Sequence, residues 1–166
     1  MSADLPAPED EFDRKLVSDV REHGWHCVLV ANEHHPEHAT QNTALGSHPI
    51  YDAALAYTVG LWLTKQHSEI ALVGRWQHSH AIISAVVDLI DGGQSFVGGD
   101  TSEGVLPELT VRFDPVSDER RQELLTYASW ANRRQPFQAV QLVLPDPAGR
   151  WPEDPGYQGH PQPLIG

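Results

Sequence analysis

Residues 55–74 read LAYTVGLWLTKQHSEIALVG and decide how the fold is built. Two apolar runs with strand-like composition, 53–62 and 69–74, flank a polar link. The link is too short for the helical crossover that parallel strands need, so we expect the two strands to pair antiparallel. His67 and Glu69 lie at the start of the second strand. They either take part in proton transfer or belong to an ordinary polar turn.

Helix and strand patterns continue on both sides of this pair. Apolar residues recur with helical spacing in two segments, and Gly24 is placed to stop the first of these helices. Ser117 is placed to cap a third helix, which has charged residues in its first turns. Branched and aromatic residues indicate three further strands. The predicted helices are 8–23, 77–90 and 117–132, the predicted strands are 25–31, 108–113 (ended by Asp114-Pro115) and 137–145, and 94–104 is predicted to be a Gly-rich connection.

This order of elements predicts an α+β fold. We expect a mostly antiparallel or mixed sheet of about five strands, with two or three packed helices and an extended Pro-rich C-terminal tail. We expect residues 1–8 to be a flexible N-terminal segment and residues 9–166 to form a single domain, long enough to bury its own core. Residues 32–50 have no period and predict a long loop.

Charge and cysteine content limit the classes of function. Eleven basic residues face twenty-three acidic ones, a net charge of −12, whereas nucleic-acid binding needs clustered Lys and Arg. The local basic pairs are Arg120-Arg121 and Arg133-Arg134. A single cysteine and the lack of a long apolar run favour a cytoplasmic protein without a nucleic-acid or membrane partner. A protein partner, a small molecule and a homo-oligomer all stay open.

Ten histidines invite a metal hypothesis, which their spacing has to support. His34, His35 and His38 cluster in the predicted loop, and the first and last of them are one helical turn apart. Pro36 between them disfavours a regular helix, and HExxH is absent. We therefore predict no cofactor and keep zinc on these three histidines as the weaker alternative.

Signatures of common enzyme mechanisms are missing from the sequence. There is no GxSxG elbow, no phosphate-binding Gly-rich loop and no dinucleotide fingerprint. Cys27 lies within an apolar strand, where a free cysteine usually acts as a small buried hydrophobe. A histidine near a carboxylate can be oriented for proton transfer. If the protein is an enzyme, we expect His67 to transfer the proton and Glu69 or Asp154 to orient it.

A second informative stretch, QLVLPDPAGRWPEDPGY, covers residues 141–157. Its Asp, Pro and Gly residues predict two turns, and its aromatic residues can anchor a proline-stiffened tail on the body of the protein. Together with the 60–69 turn, this stretch could form one binding surface. The residues predicted for that surface are Thr58, Gly60, Trp62, Gln141, Asp146, Trp151 and Tyr157.

The stretches AYTVGLW, HSEIALVG and QLVLPDPAGRWPEDPGY together resemble the bacterial domain-of-unknown-function family 4262, over roughly residues 24–164. Two positions depart from the family pattern: Ser68 replaces a proline and Glu153 replaces a tryptophan. The resemblance implies no activity, cofactor or catalytic residue. The matching residues are Thr58, Gly60, Leu61, His67, Glu69, Gln141, Val143, Pro145, Asp146, Gly149, Trp151, Pro152, Asp154, Pro155 and Gly156.

The sequence therefore favours a binding or accessory module over an enzyme. The T-x-G-L pattern is also faintly similar to suppressor-of-fused-like bacterial domains, several of which are thought to be immunity or interaction modules. The alternative is a small enzyme of unfamiliar type that uses His67 with Glu69 or Asp154, with or without a metal held by the loop histidines.

Overall fold

A computed structural model describes residues 3–30, 54–74 and 77–166. Within these ranges the chain forms six strands and five helices, and the predicted α+β class is confirmed with one strand more than expected. The strands are β1 (His26–Val30), β2 (Leu55–Val59), β3 (Glu69–Val73), β4 (Thr101–Leu106), β5 (Leu109–Pro115) and β6 (Ala139–Val143), and the helices are α1 (Glu11–His23), α2 (Leu61–Lys65), α3 (Ser79–Asp91), α4 (Asp118–Leu124) and α5 (Thr126–Ala131).

The six strands form one mixed sheet in the order β1-β2-β3-β6-β5-β4. The predicted antiparallel pairing of the 55–74 stretch is confirmed, with Leu55 opposite Val73 and Tyr57 opposite Ala71. Strand β3 pairs parallel with β6, and the other neighbouring strands pair antiparallel. Both central strands, β3 and β6, are buried along their whole length.

The sheet separates two apolar clusters, because successive side chains of a strand point to opposite faces. Tyr57 and Ala71 join the cluster that α1 and α5 cover. Ala56 and Leu72 join the cluster on the other face, which α3 covers. The architecture is therefore helices, sheet and helix in three layers, and the hairpin of β2 and β3 contributes to both cores.

Three predicted element boundaries are corrected by the structure. Strand β2 ends at Val59 instead of residue 62, because the chain turns into α2 immediately after Gly60. The predicted connection 94–104 contains β4, an edge strand with little burial besides Val105 and hence no apolar alternation to find. The predicted helix 117–132 is two helices, since Leu125 departs from helical geometry with ψ of 55°.

Strand β5 includes Asp114 and Pro115, which were predicted to end it at residue 113, because these two residues lie where only β6 pairs with the strand. Pro115 lies opposite Val140, while pairing with β4 stops at Arg112. A proline without a strand on its outer side leaves no ladder hydrogen bond unmade.

Several termini and caps follow the predicted chemistry. Gly24 ends α1 with φ of 88°, and the Ser117 side chain accepts a hydrogen bond from the backbone N–H of Arg120 at the start of α4. Near the N-terminus, Leu5 packs in the cluster under α1 and Arg133 contacts Asp4, while the flexibility expected for residues 1–8 stays a prediction. None of the helices in the described ranges is long and apolar enough to cross a membrane.

Gly60 lets the end of α1 approach the hairpin. Its φ is 113°, and a Cβ atom at this position would lie 2.9 Å from the Gly24 carbonyl oxygen and 3.0 Å from Val20. The Thr64 hydroxyl closes the same junction by donating to the carbonyl of Gly24 at 2.7 Å.

We therefore expect Gly60→Ala to lower the free energy of unfolding by about 3 kcal/mol, combining a left-handed backbone with overpacking. Gly93→Ala is the matched control, since Gly93 has φ of 101° and a Cβ atom added there would meet no other atom within 4 Å. Urea denaturation should give a loss of only about 1 kcal/mol for the control. Equal losses in the two variants would contradict the close approach.

Candidate functional site

Glu69, the first residue of β3, is fully buried and receives four hydrogen bonds. One comes from the hydroxyl of the neighbouring strand β2, and three come from backbone N–H groups at the start of α2. The distances from the carboxylate oxygens are 2.6 Å to Thr58 Oγ1, 3.0 Å to Gly60 N, 3.3 Å to Leu61 N and 3.1 Å to Trp62 N. The carboxylate thus joins two strands and a helix.

The carboxylate of Glu69 supplies the cap that α2 lacks locally. The N-cap position is Gly60, which has no side chain to bond the free N–H groups of the first turn. A negative group is also favoured at the positive end of a helix. Burial raises the pKa of the Glu69 carboxyl to about 7, and the hydrogen bonds from Thr58 and the three N–H groups only partly oppose it.

His67 has both ring nitrogens engaged with the backbone. Its Nε2 accepts from the N–H of Phe96 at 2.9 Å, so the ring proton lies on Nδ1, which donates to the Ser68 carbonyl at 2.7 Å. The side chain is buried, and Phe96 stacks on Phe113 at 4.3 Å. His67 therefore fastens the segment before β4 onto the hairpin.

Asp146 organises the turn after β6 in the same way that Glu69 organises the hairpin. It is buried, and its two carboxylate oxygens accept from Ala148 N, Arg150 N, Arg150 Nε and Gln158 N at 2.8–3.0 Å. Burial alone would raise its pKa, but the N–H groups of Gln158 and Arg150 and the Arg150 guanidinium outweigh it and lower the pKa to about 2.

The rest of the tail is held by a few specific contacts. Asp154 accepts the N–H of Trp151 at 2.8 Å and closes a tight turn. Arg112 of β5 lies 4.8 Å over the Trp151 ring and bonds Glu153 at 2.5 Å. Glu153, the departure from the family pattern, is thus an ion-pair partner, and Tyr157 donates its hydroxyl to the His160 carbonyl.

Gln141 and Gln162 fix the last residues along β6. The Gln141 side chain donates to the Pro163 carbonyl at 2.8 Å and accepts from Ile165 N at 2.9 Å. The Gln162 side chain makes both hydrogen bonds to the backbone of Leu144. The extended tail predicted from the sequence is therefore attached to the sheet through side-chain amides.

The structure does not bring the predicted catalytic residues together. His67, Glu69 and Asp154 make no hydrogen bond with one another in the described residues, and each has separate partners. Glu69 lies opposite Ala139 at the start of β6, whereas Arg112, which holds the tail, lies opposite Val143 at its end. Four residues of strand separate these rows, about 13 Å.

The residues predicted for a binding surface divide by exposure. Thr58, Gly60, Gln141 and Asp146 are buried, and their polar groups bond other parts of the chain. Trp62, Trp151 and Tyr157 are half-buried. Within the ranges that the structure describes, no hydrogen bond or ion pair links the 60–69 turn to residues 146–157.

The predicted zinc ligands His34, His35 and His38 lie outside the described residues. Among the residues that are described, no group of three or more His, Cys, Asp or Glu side chains could hold a metal ion.

Neighbouring residues of β1 have different environments. Burial raises the pKa of the Cys27 thiol to about 11, so the thiol is protonated at neutral pH and a poor nucleophile. His26 instead contacts Asp19 of α1, with Nδ1 2.7 Å from the carboxylate, and Lys15 lies 3.1 Å from the same oxygen. Burial opposes ionisation of Asp19, but the hydrogen bonds to His26 and Lys15 prevail and lower its pKa.

A cavity of about 490 Å³ lies between α4, α5 and the segment before β6. The two arginine pairs, Arg120-Arg121 and Arg133-Arg134, lie thirteen residues apart in the sequence. They come together only because the chain breaks between α4 and α5, so no local sequence pattern connects them. One residue of each pair lines the cavity. The lining residues are Arg121, Gln122, Thr126, Ser129, Trp130, Arg134, Gln135, Pro136 and Phe137.

Comparison with known proteins identifies the family. The chain belongs to the family described as Domain of unknown function (DUF4262), whose sequence model matches residues 19–158. No curated protein and no solved structure matches the chain. The resemblance found in the sequence is thereby confirmed, and the family description assigns no activity.

The raised pKa of Glu69 predicts a pH dependence of stability. Because the folded chain holds the proton more tightly than the unfolded chain, the stabilisation is complete below pH 4.5 and is lost as the pH rises toward 7, by up to about 3 kcal/mol. Glu69→Gln should remove this slope, because a side-chain amide does not titrate between about pH 4 and 8. Urea denaturation at several pH values measures both effects.

Glu103→Gln is the control for loss of one carboxylate, because Glu103 is exposed on β4. This variant should keep the pH slope of the wild type. A Glu69→Gln protein that also kept that slope would show that Glu69 is not its source.

The four hydrogen bonds of Asp146 predict that Asp146→Asn loosens residues 146–158. An amide offers one acceptor oxygen where the carboxylate offers two, so Arg150 loses its ion pair. Trypsin should then cleave after Arg150 several-fold faster than in the wild type at pH 7. Asp154→Asn, which affects the single bond to Trp151 N, should change cleavage less, and equal rates in all three proteins would contradict this role.

Proposed function

We propose that this protein works by binding, as an accessory or interaction module, and that the cavity lined by Arg121 and Arg134 is its binding site. The observation that carries the proposal is a cavity of about 490 Å³ beside an arginine that is nine-tenths buried. This volume lies within the usual range of about 300–1,000 Å³ for ligand pockets.

The character of the lining supports binding. Trp130 and Phe137 contribute apolar surface, while Thr126 and Ser129 contribute hydroxyl groups and the two arginines contribute charge. A mixture of flat apolar walls with a few polar groups is typical of sites that orient a ligand. Such a cavity can take a small molecule or a side chain that projects from a partner protein.

The polar residues of the family motifs support a binding role because their side chains are already used within the fold. The carboxylates of Glu69 and Asp146 and the ring of His67 are buried and bonded to the chain's own backbone. These groups have the partners that a structural role requires, and a substrate would have to displace them. The motifs then serve to build the scaffold that carries the cavity.

The proposal includes a cytoplasmic bacterial setting, as an interaction or immunity-like module. A net charge of −12 disfavours nucleic acid and anionic membranes as partners, and a single cysteine suits a reducing compartment. A homo-oligomer is compatible with the proposal.

One observation favours the alternative of a small enzyme. Asp19 holds Nδ1 of His26 and leaves Nε2 without a hydrogen bond in the described part of the chain, the arrangement of an oriented proton acceptor. The version with His67 and Glu69 or Asp154 lacks such a contact. The enzyme would be favoured if the protein had an activity that His26→Gln abolished while the occupancy of the cavity stayed unchanged.

Native mass spectrometry of untagged protein, purified gently from its own host, tests the binding site. We expect a reproducible added mass, from a small molecule or a partner chain, that is lost in Ser129→Leu, whose larger side chain obstructs part of the cavity. Ser84→Leu is the matched control, a half-buried serine within α3 on the other face of the sheet. It should keep the added mass.

An added mass that persists in Ser129→Leu would place binding elsewhere on the protein. Bare protein in all three preparations would contradict a retained ligand at this site.

A further inference from the structure

We propose that the ligand of the cavity is a small organic anion, in which an oxyanion such as a carboxylate or phosphate is attached to a flat apolar body. This inference rests on the proposed function and adds the chemical class of the ligand. It is carried by Nη2 of Arg121, which makes no hydrogen bond in the described residues, by the unpaired charge of Arg134 and by the size of the cavity.

Arg121 is buried with donors left over. Its side chain contacts Asp118 through Nη1 at 3.0 Å and lies 5.1 Å over the Phe137 ring. Its Nε is buried and has no hydrogen-bond partner, and in the described residues its Nη2 makes no hydrogen bond either. A buried N–H without an acceptor is unfavourable, and the guanidinium fork matches an oxyanion in geometry.

The carboxylate that contacts Arg121 does not meet this need. The Asp118 side chain is 86% exposed and the Arg121 side chain 11% exposed, so their contact lies toward solvent. The neighbouring Arg120 is paired with Glu123 at 3.1 Å. Nε of Arg121 has almost no accessible surface, so Nη2 is the nitrogen that would bond an acceptor in the cavity.

Arg134 adds a second positive charge to the same cavity. Its side chain is exposed and forms no ion pair within the described residues, whereas its neighbour Arg133 bonds Asp4. Both arginines have positive φ, 52° and 60°, and the N–H of Arg134 is fixed to the Ser129 carbonyl at 2.8 Å. Two cations lining one cavity repel each other unless an anion lies between them.

The volume of the cavity indicates what the anion is attached to. About 490 Å³ corresponds to roughly sixteen water molecules at about 30 Å³ each, far more than an inorganic anion fills. Trp130 offers apolar surface to a flat group, and the hydroxyls of Thr126 and Ser129 offer hydrogen bonds. An apolar body that carries one oxyanion satisfies both parts of the lining.

Because the protein as a whole is negatively charged, these arginines are the local groups that would attract an anion. With a net charge of −12 the surface as a whole repels anions. An anion that binds must therefore gain its affinity from local contacts, and removing one of them should be readily measured.

Isothermal titration with four probes tests the inference on the intact chain: benzoate, phenyl phosphate, the neutral analogue benzamide and inorganic phosphate. We expect at least one of benzoate and phenyl phosphate to bind about tenfold or more tightly than benzamide, and phenyl phosphate to bind more tightly than inorganic phosphate. Arg134→Gln should weaken the anions about tenfold and leave benzamide unchanged. Arg133→Gln is the control, an adjacent arginine with the same backbone conformation that does not line the cavity.

The outcomes separate this inference from the proposed function. Benzamide that binds as tightly as benzoate, and is displaced by Ser129→Leu, would overturn the anion and keep the binding site. Inorganic phosphate as tight as phenyl phosphate would overturn the apolar body. Equal losses in Arg133→Gln and Arg134→Gln would overturn the site of the charge contact. Probes that bind Ser129→Leu as tightly as the wild type would overturn the cavity as their site, whereas probes that do not bind at all would overturn the organic anion and leave the binding site to the native mass measurement.

Discussion

The buried carboxylate of Glu69 is the interaction on which the fold depends. It accepts four hydrogen bonds, from β2 and from the first turn of α2, without contact with solvent. A helix of five residues is not stable alone, so α2 requires this cap to form where it does. Gly60 permits the geometry by leaving room for the end of α1. One side chain therefore sets the connection of the hairpin, the position of α2 and the contact with α1.

Asp146 performs a similar task at the other end of β6 with different electrostatics. Its partners include the Arg150 guanidinium, which favours the charged form and gives a pKa of about 2. Glu69 has neutral donors only, and burial raises its pKa to about 7. A strongly shifted pKa is often taken to mark a catalytic group. Here the two shifts have structural causes, and neither carboxylate lines the cavity beside Arg121.

Local patterns were sufficient for much of this fold, and features that depend on distant residues were not predictable. The cap at Ser117, the stop at Gly24 and the antiparallel hairpin each follow from a few consecutive residues. The partner of His67 is the N–H of Phe96, twenty-nine positions away, and no local pattern contains it. The cavity depends on the break at Leu125, which the prediction of a single helix from 117 to 132 did not include. The pairing of two arginines across that cavity exists only in three dimensions.

Hydrogen exchange of the backbone amides of Gly60, Leu61 and Trp62 tests the central claim most directly. These N–H groups belong to a turn and the first turn of a short helix, and their protection is assigned to the Glu69 carboxylate. We predict that they exchange only through global unfolding, with the same free energy as the buried amides of β3. Exchange at the rate of an unprotected surface turn would contradict this role, because the carboxylate would then not be what holds α2 in place.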